Sequence, residues 1–249
     1  MLLLSLDEPT GNLRRPLISA YEKEFMPQQT ASTTRKTKLP GLDSEATPLL
    51  GVGLGLTGLL LGLRPRLAAW PLALTAVAAL FYRDPERTTI TRPDALFAPA
   101  DGTVIGIEEL YEHRYLHTDA VRVAIAASPF DVPVHRSPAA GTIAYLEHAF
   151  GEYRPIWDMR AADYNERQYI GIQTEWGPLL LQIIGGPLAR RVASRVSRGE
   201  WVDAGTRLGT VRLGARVDLL VPYDVVHELP AIGSHVKAGV TRIGRIVPL

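Results

Sequence analysis

The sequence contains no cysteine, and that absence excludes several kinds of chemistry. Disulfide bonds, thiolate metal sites and cysteine nucleophiles are ruled out together. An excess of charge is also lacking, because 27 basic and 26 acidic residues leave a formal net charge of +1. This balance gives no electrostatic reason to expect a nucleic-acid partner. We therefore predict neither a metal site nor nucleic-acid binding.

Hydrophobic residues make up 46% of the chain, but they are unevenly spread. The stretch from Pro48 to Phe81 is nearly uncharged and is interrupted only by Arg-Pro-Arg at 64–66. Each half has roughly 15 residues, somewhat fewer than the ~20 that cross a bilayer upright. We predict a hydrophobic helical hairpin over residues 47–82 that anchors the chain in a membrane, either across a thinned bilayer or within one leaflet. A buried pair of core helices is the alternative.

The segments that flank the hairpin differ from it in charge. The sequence RKTK at 35–38 precedes it and YRDPER at 82–87 follows it, so a hairpin places both on one side. Their positive charge favours the cytoplasmic face for the rest of the protein, although Arg64 and Arg66 at the other end weaken the bias. Residues 1–46 show no sustained period and are predicted to be disordered. Met26 is an alternative start residue.

Residues 83–249 carry short β-rich runs separated by glycine, proline and aspartate. A strand roughly every ten residues favours a sandwich or barrel, so we predict a mainly β domain. An internal repeat, GEWVDAGTRLG at 199–209 and GSHVKAGVTRIG at 233–244, is similar to the turn of barrel-sandwich hybrid carriers. Carrier function needs a modifiable lysine at a hairpin tip. Lys237 lies in the second copy, but a lysine beside a turn is usually just solvated.

Three segments of the predicted β domain hold residues that suit catalysis. The first, FAPADGTV, contains Asp101 in an Asp-Gly turn. The second, SPFDVPVHRSPAAG, contains His135, a natural acid–base group. The third, VRLGARVDLLVP, contains Gly214 and Ala215 between two strand-like runs. Each segment alone is a weak signal, since turns, packed histidines and strand bends are common.

Taken together and in this order, the segments resemble the phosphatidylserine decarboxylase family, most closely its short, archaeal or type II-like form. The resemblance begins with FYRDPER directly after the hydrophobic hairpin. It continues through PADG, NER at 165–167 and IIGGPLARRV to the end of the chain. It implies a mainly β, barrel-sandwich-hybrid-like decarboxylase domain that follows the hairpin, with a role in phospholipid metabolism.

The resemblance also implies how such proteins make their own cofactor. The serine of a Gly-Ser pair attacks the preceding carbonyl, the chain is cut, and a pyruvoyl group is left that forms a Schiff base with the substrate amine. An aspartate and a histidine assist. The aspartate corresponds to Asp101, but the Gly-Ser pair corresponds to Gly214–Ala215 and the histidine to Pro133. His135 lies two residues further on, which keeps the same face in a strand.

An alanine methyl cannot perform the acyl shift, so no pyruvoyl cofactor is expected from this chain as written. The first hypothesis is therefore a family member that has lost catalysis. The second is a working phosphatidylserine decarboxylase that uses another arrangement around Asp101 and His135. The third is a non-catalytic partner subunit of an active homologue.

Two further features leave alternatives open. Arg190 and Arg191 follow a Gly-Gly-Pro turn, where their guanidinium groups suit a lipid phosphate or a structural ion pair. The NER segment either belongs to the site or braces a loop. Membrane phospholipid is the expected partner, with self-association or pairing with an active homologue as further expectations.

Overall fold

The computed structural model describes residues 41–43, 45–90, 92–155, 157–158, 160–187 and 192–247. Residues 1–40, for which disorder is predicted, lie outside the described residues, and so do Arg190 and Arg191. Every described residue belongs to one structural unit, residues 37–249.

The hydrophobic stretch forms two helices, as predicted. Helix α1 covers Ala46–Leu63, a 3-10 turn covers Pro65–Leu67, and helix α2 covers Ala69–Phe81. The helices pack closely, because a Cβ on Gly53 would collide with the Thr75 side chain. The chain before the hairpin is paired with the chain after it, through a β-bridge between Leu42 and Arg83.

The hairpin leaves most of its apolar side chains exposed. Leu54, Leu61, Trp70 and Leu74 are each more than half exposed. Helix α1 has 18 residues with a mean hydropathy of 1.7 and is only 17% buried, so it is long and apolar enough to cross a membrane. The alternative of two buried core helices does not fit this exposure.

The rest of the described chain is mainly β, as predicted, and all its strand pairs are antiparallel. The strands are β1 Ala95–Phe97, β2 Gly102–Glu112, β3 Thr118–Ala127, β4 Val134–Arg136, β5 Gly141–Ala149, β6 Arg167–Thr174, β7 Gly177–Gly185, β8 Ala193–Ser194, β9 Trp201–Val202, β10 Arg207–Thr210, β11 Ala215–Pro222, β12 Val226–His227, β13 His235–Val236 and β14 Arg242–Ile246. A four-residue helix, α3, covers Ala161–Tyr164.

One large sheet and two small ones make up the β domain. The eight-stranded sheet has the order β13-β2-β3-β11-β7-β6-β5-β9. The small sheets have the orders β1-β14-β12 and β4-β10-β8. Alternate residues of the large sheet, among them Ile125, Leu181 and Val217, share one apolar core cluster with Leu208 of β10. This alternation is what a sheet with one buried face requires.

The internal repeat is visible as two similar turns. Its copies place glycines with positive φ at matching positions, Gly199 and Gly205 in the first and Gly233 and Gly239 in the second. Between the glycines, each copy buries one valine of a two-residue strand. The two turns approach each other at Thr89, because a Cβ on Gly205 or Gly239 would meet the Thr89 hydroxyl.

Candidate active site

One end of the eight-stranded sheet brings two of the predicted site segments together. Thr103 of β2 pairs with Ala126 of β3, and Ala127 pairs with Ala215 of β11. Asp101 directly precedes β2, so it lies two strand spacings from Ala215, roughly 10 Å. Ala215 also pairs with Gly185 at the end of β7. We call this row of strand ends the site end of the sheet.

Asp101 is a buried carboxylate held from two directions. Arg87 donates from Nη1 to Oδ1 at 2.5 Å and from Nη2 to Oδ2 at 2.7 Å, and the Ala238 N–H donates to Oδ1 at 2.8 Å. The next residue, Gly102, has to be a glycine, because its φ is +150° and a Cβ there would collide with the Ala126 carbonyl. The Asp-Gly turn thus fixes the carboxylate at the site end.

The charge state of Asp101 follows from these contacts. Burial by itself raises the pKa of Asp101, but the hydrogen bonds from Arg87 and Ala238 and the charge of Arg87 lower it more. The net result is a pKa below the ordinary 3.8. Asp101 is therefore a fixed anion throughout the physiological pH range.

His135 lies in the middle of β4, opposite Gly209 of β10. Its neighbour Arg136 donates its N–H to the Pro99 carbonyl at 2.8 Å, which ties β4 to the segment that carries Asp101. Burial lowers the pKa of His135 to about 4, and the charge of Asp101 opposes this shift only in part. The imidazole is therefore uncharged at neutral pH. Neither ring nitrogen has a hydrogen-bond partner among the described residues.

Pro133 directly precedes β4 and is buried. Its carbonyl accepts a hydrogen bond from the Val211 N–H at 3.0 Å, so the segment with Pro133 runs beside the chain that leads to Ala215. The structure thus brings Asp101, Pro133, His135 and Ala215 into neighbouring segments. Their predicted roles in chemistry stay predictions.

The backbone directly before Ala215 is strained. Leu213 has φ +67° and Gly214 has φ +95°. A left-handed conformation costs a residue with a side chain about 1–2 kcal/mol, so Leu213 adopts it only because its surroundings enforce it. Ala215 itself is fully buried and belongs to the apolar core cluster. Its methyl group thus lies on the core side of the sheet.

Arg212 connects this strained segment to the base of the hairpin. Its Nη2 lies 3.1 Å from Asp43 Oδ2 and 2.7 Å from Glu45 Oε2, just before α1. Its guanidinium also stacks on Tyr82, directly after α2, with 4.2 Å between the Arg212 Cζ and the ring centroid. Both ends of the hairpin therefore contact the residue three positions before Ala215.

The NER segment braces a loop next to Ala215. Asn165 is fully buried, and its Nδ2 donates to the carbonyls of Arg154 and Gly185, each at 2.8 Å. Gly185 is the strand partner of Ala215. Of the two readings of NER, bracing is the one that the geometry supports.

Sequence reasoning missed the residues that hold the site. Within YRDPER, Arg87 binds Asp101, and the buried Asp84 binds Arg207 of β10 at 2.8 Å. A second buried pair, Arg216 and Asp218, lies on the other face of β11, with contacts of 2.7 and 2.9 Å. The sequence does contain a signal for this pair. Opposite charges at positions i and i+2 of an otherwise apolar strand lie on one face of the sheet and can therefore form an ion pair.

Within the ranges that the structure describes, no group of three or more histidine, aspartate or glutamate side chains could hold a metal ion.

Fold and site together define a mainly β domain on an apolar helical hairpin, with a fixed carboxylate near a strained strand start. The profile of the phosphatidylserine decarboxylase family matches residues 74–244. The chain belongs to this family. It is 42% identical over 187 residues to the phosphatidylserine decarboxylase proenzyme of Salinibacter ruber, covering 71% of this chain and 81% of that protein.

Two further relatives carry the same description. The phosphatidylserine decarboxylase proenzyme of Carboxydothermus hydrogenoformans is 37% identical over 166 residues, which cover 67% of this chain and 78% of that protein. That of Symbiobacterium thermophilum is 36% identical over 209 residues, which cover 83% of this chain and 96% of that protein.

Proposed function

We propose that this chain is a membrane-anchored, phosphatidylserine decarboxylase-like protein that stays uncut and forms no pyruvoyl group. The observation that carries the proposal is Ala215 at the start of β11. In the family's chemistry, as the resemblance implies it, a side-chain oxygen at this position attacks the preceding carbonyl. Ala215 has only a methyl group there, so the residues present do not fit a self-derived pyruvoyl cofactor.

Neighbouring groups do not supply the missing nucleophile. The chain has no cysteine. Thr210 is five residues before Ala215 and pairs with Val134 in a different sheet. Ser234, which also follows a glycine, donates its hydroxyl to the Ala231 carbonyl within an exposed turn. Pro133 adds a second departure, because its ring cannot exchange a proton as an imidazole does.

The hairpin supports the proposed location. Its exposed apolar side chains lose contact with water when they enter lipid, at about 25 cal/mol per Å² of apolar surface. We propose that the hairpin anchors the protein in a phospholipid membrane and that the β domain lies on the cytoplasmic face. The arginines and lysines on both sides of the hairpin in the sequence favour that face.

Intact mass and denaturing gels of purified full-length protein test the proposal. The wild type is expected as one species near 27.3 kDa. Ala215→Ser, alone and together with Pro133→His, restores the missing groups, whereas Ala215→Gly is the matched control without a hydroxyl. We expect only the serine variants, and the double variant most, to release residues 215–249 as a fragment with a carbonyl-reactive N-terminus. A wild-type protein that is cut between Gly214 and Ala215 would overturn the proposal.

A second candidate function is decarboxylation by a different arrangement around Asp101 and His135. The observation that favours it is the buried imidazole of His135, which is uncharged at neutral pH and is acted on by the charge of Asp101, a carboxylate that is ionised at that pH. An assay for loss of carbon dioxide from phosphatidylserine tests it, with His135→Gln as the variant. Turnover by uncut wild-type protein that is lost in His135→Gln would support this candidate. A homologue that co-purifies would instead support a partner-subunit role.

A further inference from the structure

The loops at the site end of the sheet share an unusual exposure of aromatic side chains. The four most exposed aromatic rings among the described residues are Phe150 at 88%, Trp157 at 76%, Phe130 at 74% and Trp70 at 72%. Trp70 lies in the hairpin. The other three lie in the described parts of two loops, 128–133 and 150–166, the second of which also contains α3.

Both loops leave the sheet at the same end. Loop 128–133 follows Ala127, which pairs with Ala215. Loop 150–166 follows Ala149, which pairs with Arg167 at the start of β6. Arg167 in turn pairs with Ile184, one residue before the end of β7. The three loop aromatics are therefore grouped at one end of the sheet.

Phe130 also contacts the base of the hairpin. Its ring stacks on Phe81, the last residue of α2, with 6.5 Å between the ring centroids. Arg83, two residues later, donates a hydrogen bond to the Phe130 carbonyl. The exposed ring of Phe130 is therefore continuous with the exposed apolar surface of the hairpin, at the same end of the sheet from which the segment with Phe150 and Trp157 emerges.

Exposed aromatic rings that are grouped in this way are unfavourable in water unless another surface covers them. Isolated exposed apolar residues are common, but grouped ones mark an interaction surface. Aromatic side chains are enriched where a protein meets lipid head groups, since they are apolar yet tolerate a partly hydrated environment. A bilayer that holds the hairpin is also the partner that lies next to Phe130.

We infer that the site end of the sheet rests on the surface of a phospholipid bilayer, with Phe130, Phe150 and Trp157 inserted among the head groups. The β domain is thus held face-on to the lipid and does not swing freely from the hairpin. This inference rests on the proposed membrane anchoring, and it adds a second contact surface. Ala215 and the chain around it then lie at the lipid boundary.

The four tryptophans of the chain allow a direct test. Trp70 reports on the hairpin and Trp157 on the proposed contact. Trp201 is the matched control, because it is 57% exposed and pairs with Thr142 near the start of β5, away from the site end. Three full-length variants each keep one of these tryptophans and carry phenylalanine at the other three positions. Each is reconstituted into phosphatidylcholine vesicles that contain lipids brominated at shallow or deep acyl positions.

We expect the emission of Trp70 to be quenched most by deep bromines and that of Trp157 by shallow bromines, with a blue shift of the Trp157 maximum on membrane binding. Trp201 emission should stay unchanged. If Trp70 is quenched while Trp157 behaves like Trp201, the anchoring holds and the inference is overturned. If Trp70 is not quenched, the anchoring fails and the inference fails with it. Equal quenching at Trp157 and Trp201 also overturns the inference, because contact would then not be confined to the site end.

Discussion

Asp101 and Asp218 are both buried, and both bind an arginine through two oxygens, yet their pKa values shift in opposite directions. Burial raises the pKa of each. At Asp101 the hydrogen bonds from Arg87 and from the Ala238 N–H outweigh it. At Asp218 burial outweighs the effect of Arg216 and Arg122, and the negative charge of Glu108 adds to the rise.

The difference shows that an arginine partner alone does not decide the charge of a buried carboxylate. Arg216 and Asp218 both have fully buried side chains, so the loss of hydration is greatest there. Asp101 keeps slight contact with solvent and gains a backbone donor that no change of protonation can remove. One pair therefore holds a reliable anion at the site, whereas the carboxyl group of the other pair ionises less readily than it would in water.

The largest effect is expected when the Arg216–Asp218 pair is broken. Arg216→Ala leaves Asp218 with one basic partner among the described residues, Arg122, whose Nε is 4.0 Å away. We expect the free energy of unfolding to fall by about 3–5 kcal/mol, measured by urea unfolding of full-length protein in detergent. The control is Arg216→Met with Asp218→Leu, which removes both charges and should cost far less. A loss for Arg216→Ala no larger than that of the control would contradict a role for the unpaired charge.

A smaller loss is expected at Asp101. Arg87→Ala removes three hydrogen bonds, two to Asp101 and one to the Ala238 carbonyl, but leaves the one from the Ala238 N–H to Asp101, so we expect a loss of about 1–3 kcal/mol. Arg87→Lys should lose less, since it keeps the charge. Arg92→Ala, an exposed position in the same linker, is the matched control and should change unfolding by less than about 0.5 kcal/mol. Equal losses for Arg87→Ala and Arg92→Ala would show that the Arg87–Asp101 pair does not stabilise the fold.

The third prediction concerns acid, where the two aspartates should act in opposite directions. The folded pKa of Asp101 is depressed, so its contribution is present above pH 3.8 and is lost as the pH falls from there through the folded pKa. The folded pKa of Asp218 is raised, so its contribution is fully present below pH 3.8 and is lost as the pH rises through the folded pKa.

Two asparagine variants separate these contributions. Asp101→Asn should make the stability of the fold less sensitive to acid below pH 3.8, since the carboxylate whose protonation destabilises the fold is gone. Asp218→Asn should remove the gain in folding stability that accompanies acidification toward pH 3.8. Thermal unfolding between neutral pH and pH 3 measures both. The same pH dependence in both variants would refute the opposite shifts.

The sequence predicts one member of the Arg87–Asp101 pair and neither member of the Arg216–Asp218 pair. The resemblance to the family identifies Asp101, since an Asp-Gly turn by itself is a common feature of strand entries. It does not identify Arg87, since an arginine in a charged linker is normally solvated. The Ala238 N–H comes from the second repeat turn, 137 residues away. Contacts over such distances depend on how the sheets close, which no local pattern encodes.

The hairpin and the strained segment before Ala215 also differ in how far the sequence predicts them. Composition alone predicts the hairpin, and the structure has helices over Ala46–Leu63 and Ala69–Phe81. The left-handed conformation of Leu213 is not predictable, because leucine rarely adopts it. Likewise, alternation along β11 places Arg216 and Asp218 on one face. Only the structure reveals that the chain around Asp158 covers that face, where the Asp158 carbonyl lies 3.5 Å from Arg216 Nη1.

If the hairpin anchors the protein as proposed, the ties between Arg212 and the hairpin base affect how deeply the protein lies in the bilayer. Helix α1, with 18 residues, is about 27 Å long, slightly less than the roughly 30 Å of a typical hydrocarbon layer. Such a mismatch is relieved when the membrane thins or when the flanking residues are drawn inward. Because Arg212 binds both Asp43 and Glu45 at the start of α1, the strained segment before Ala215 must follow that movement. Under the proposed anchoring, the thickness of the lipid layer would therefore act on the backbone at this position.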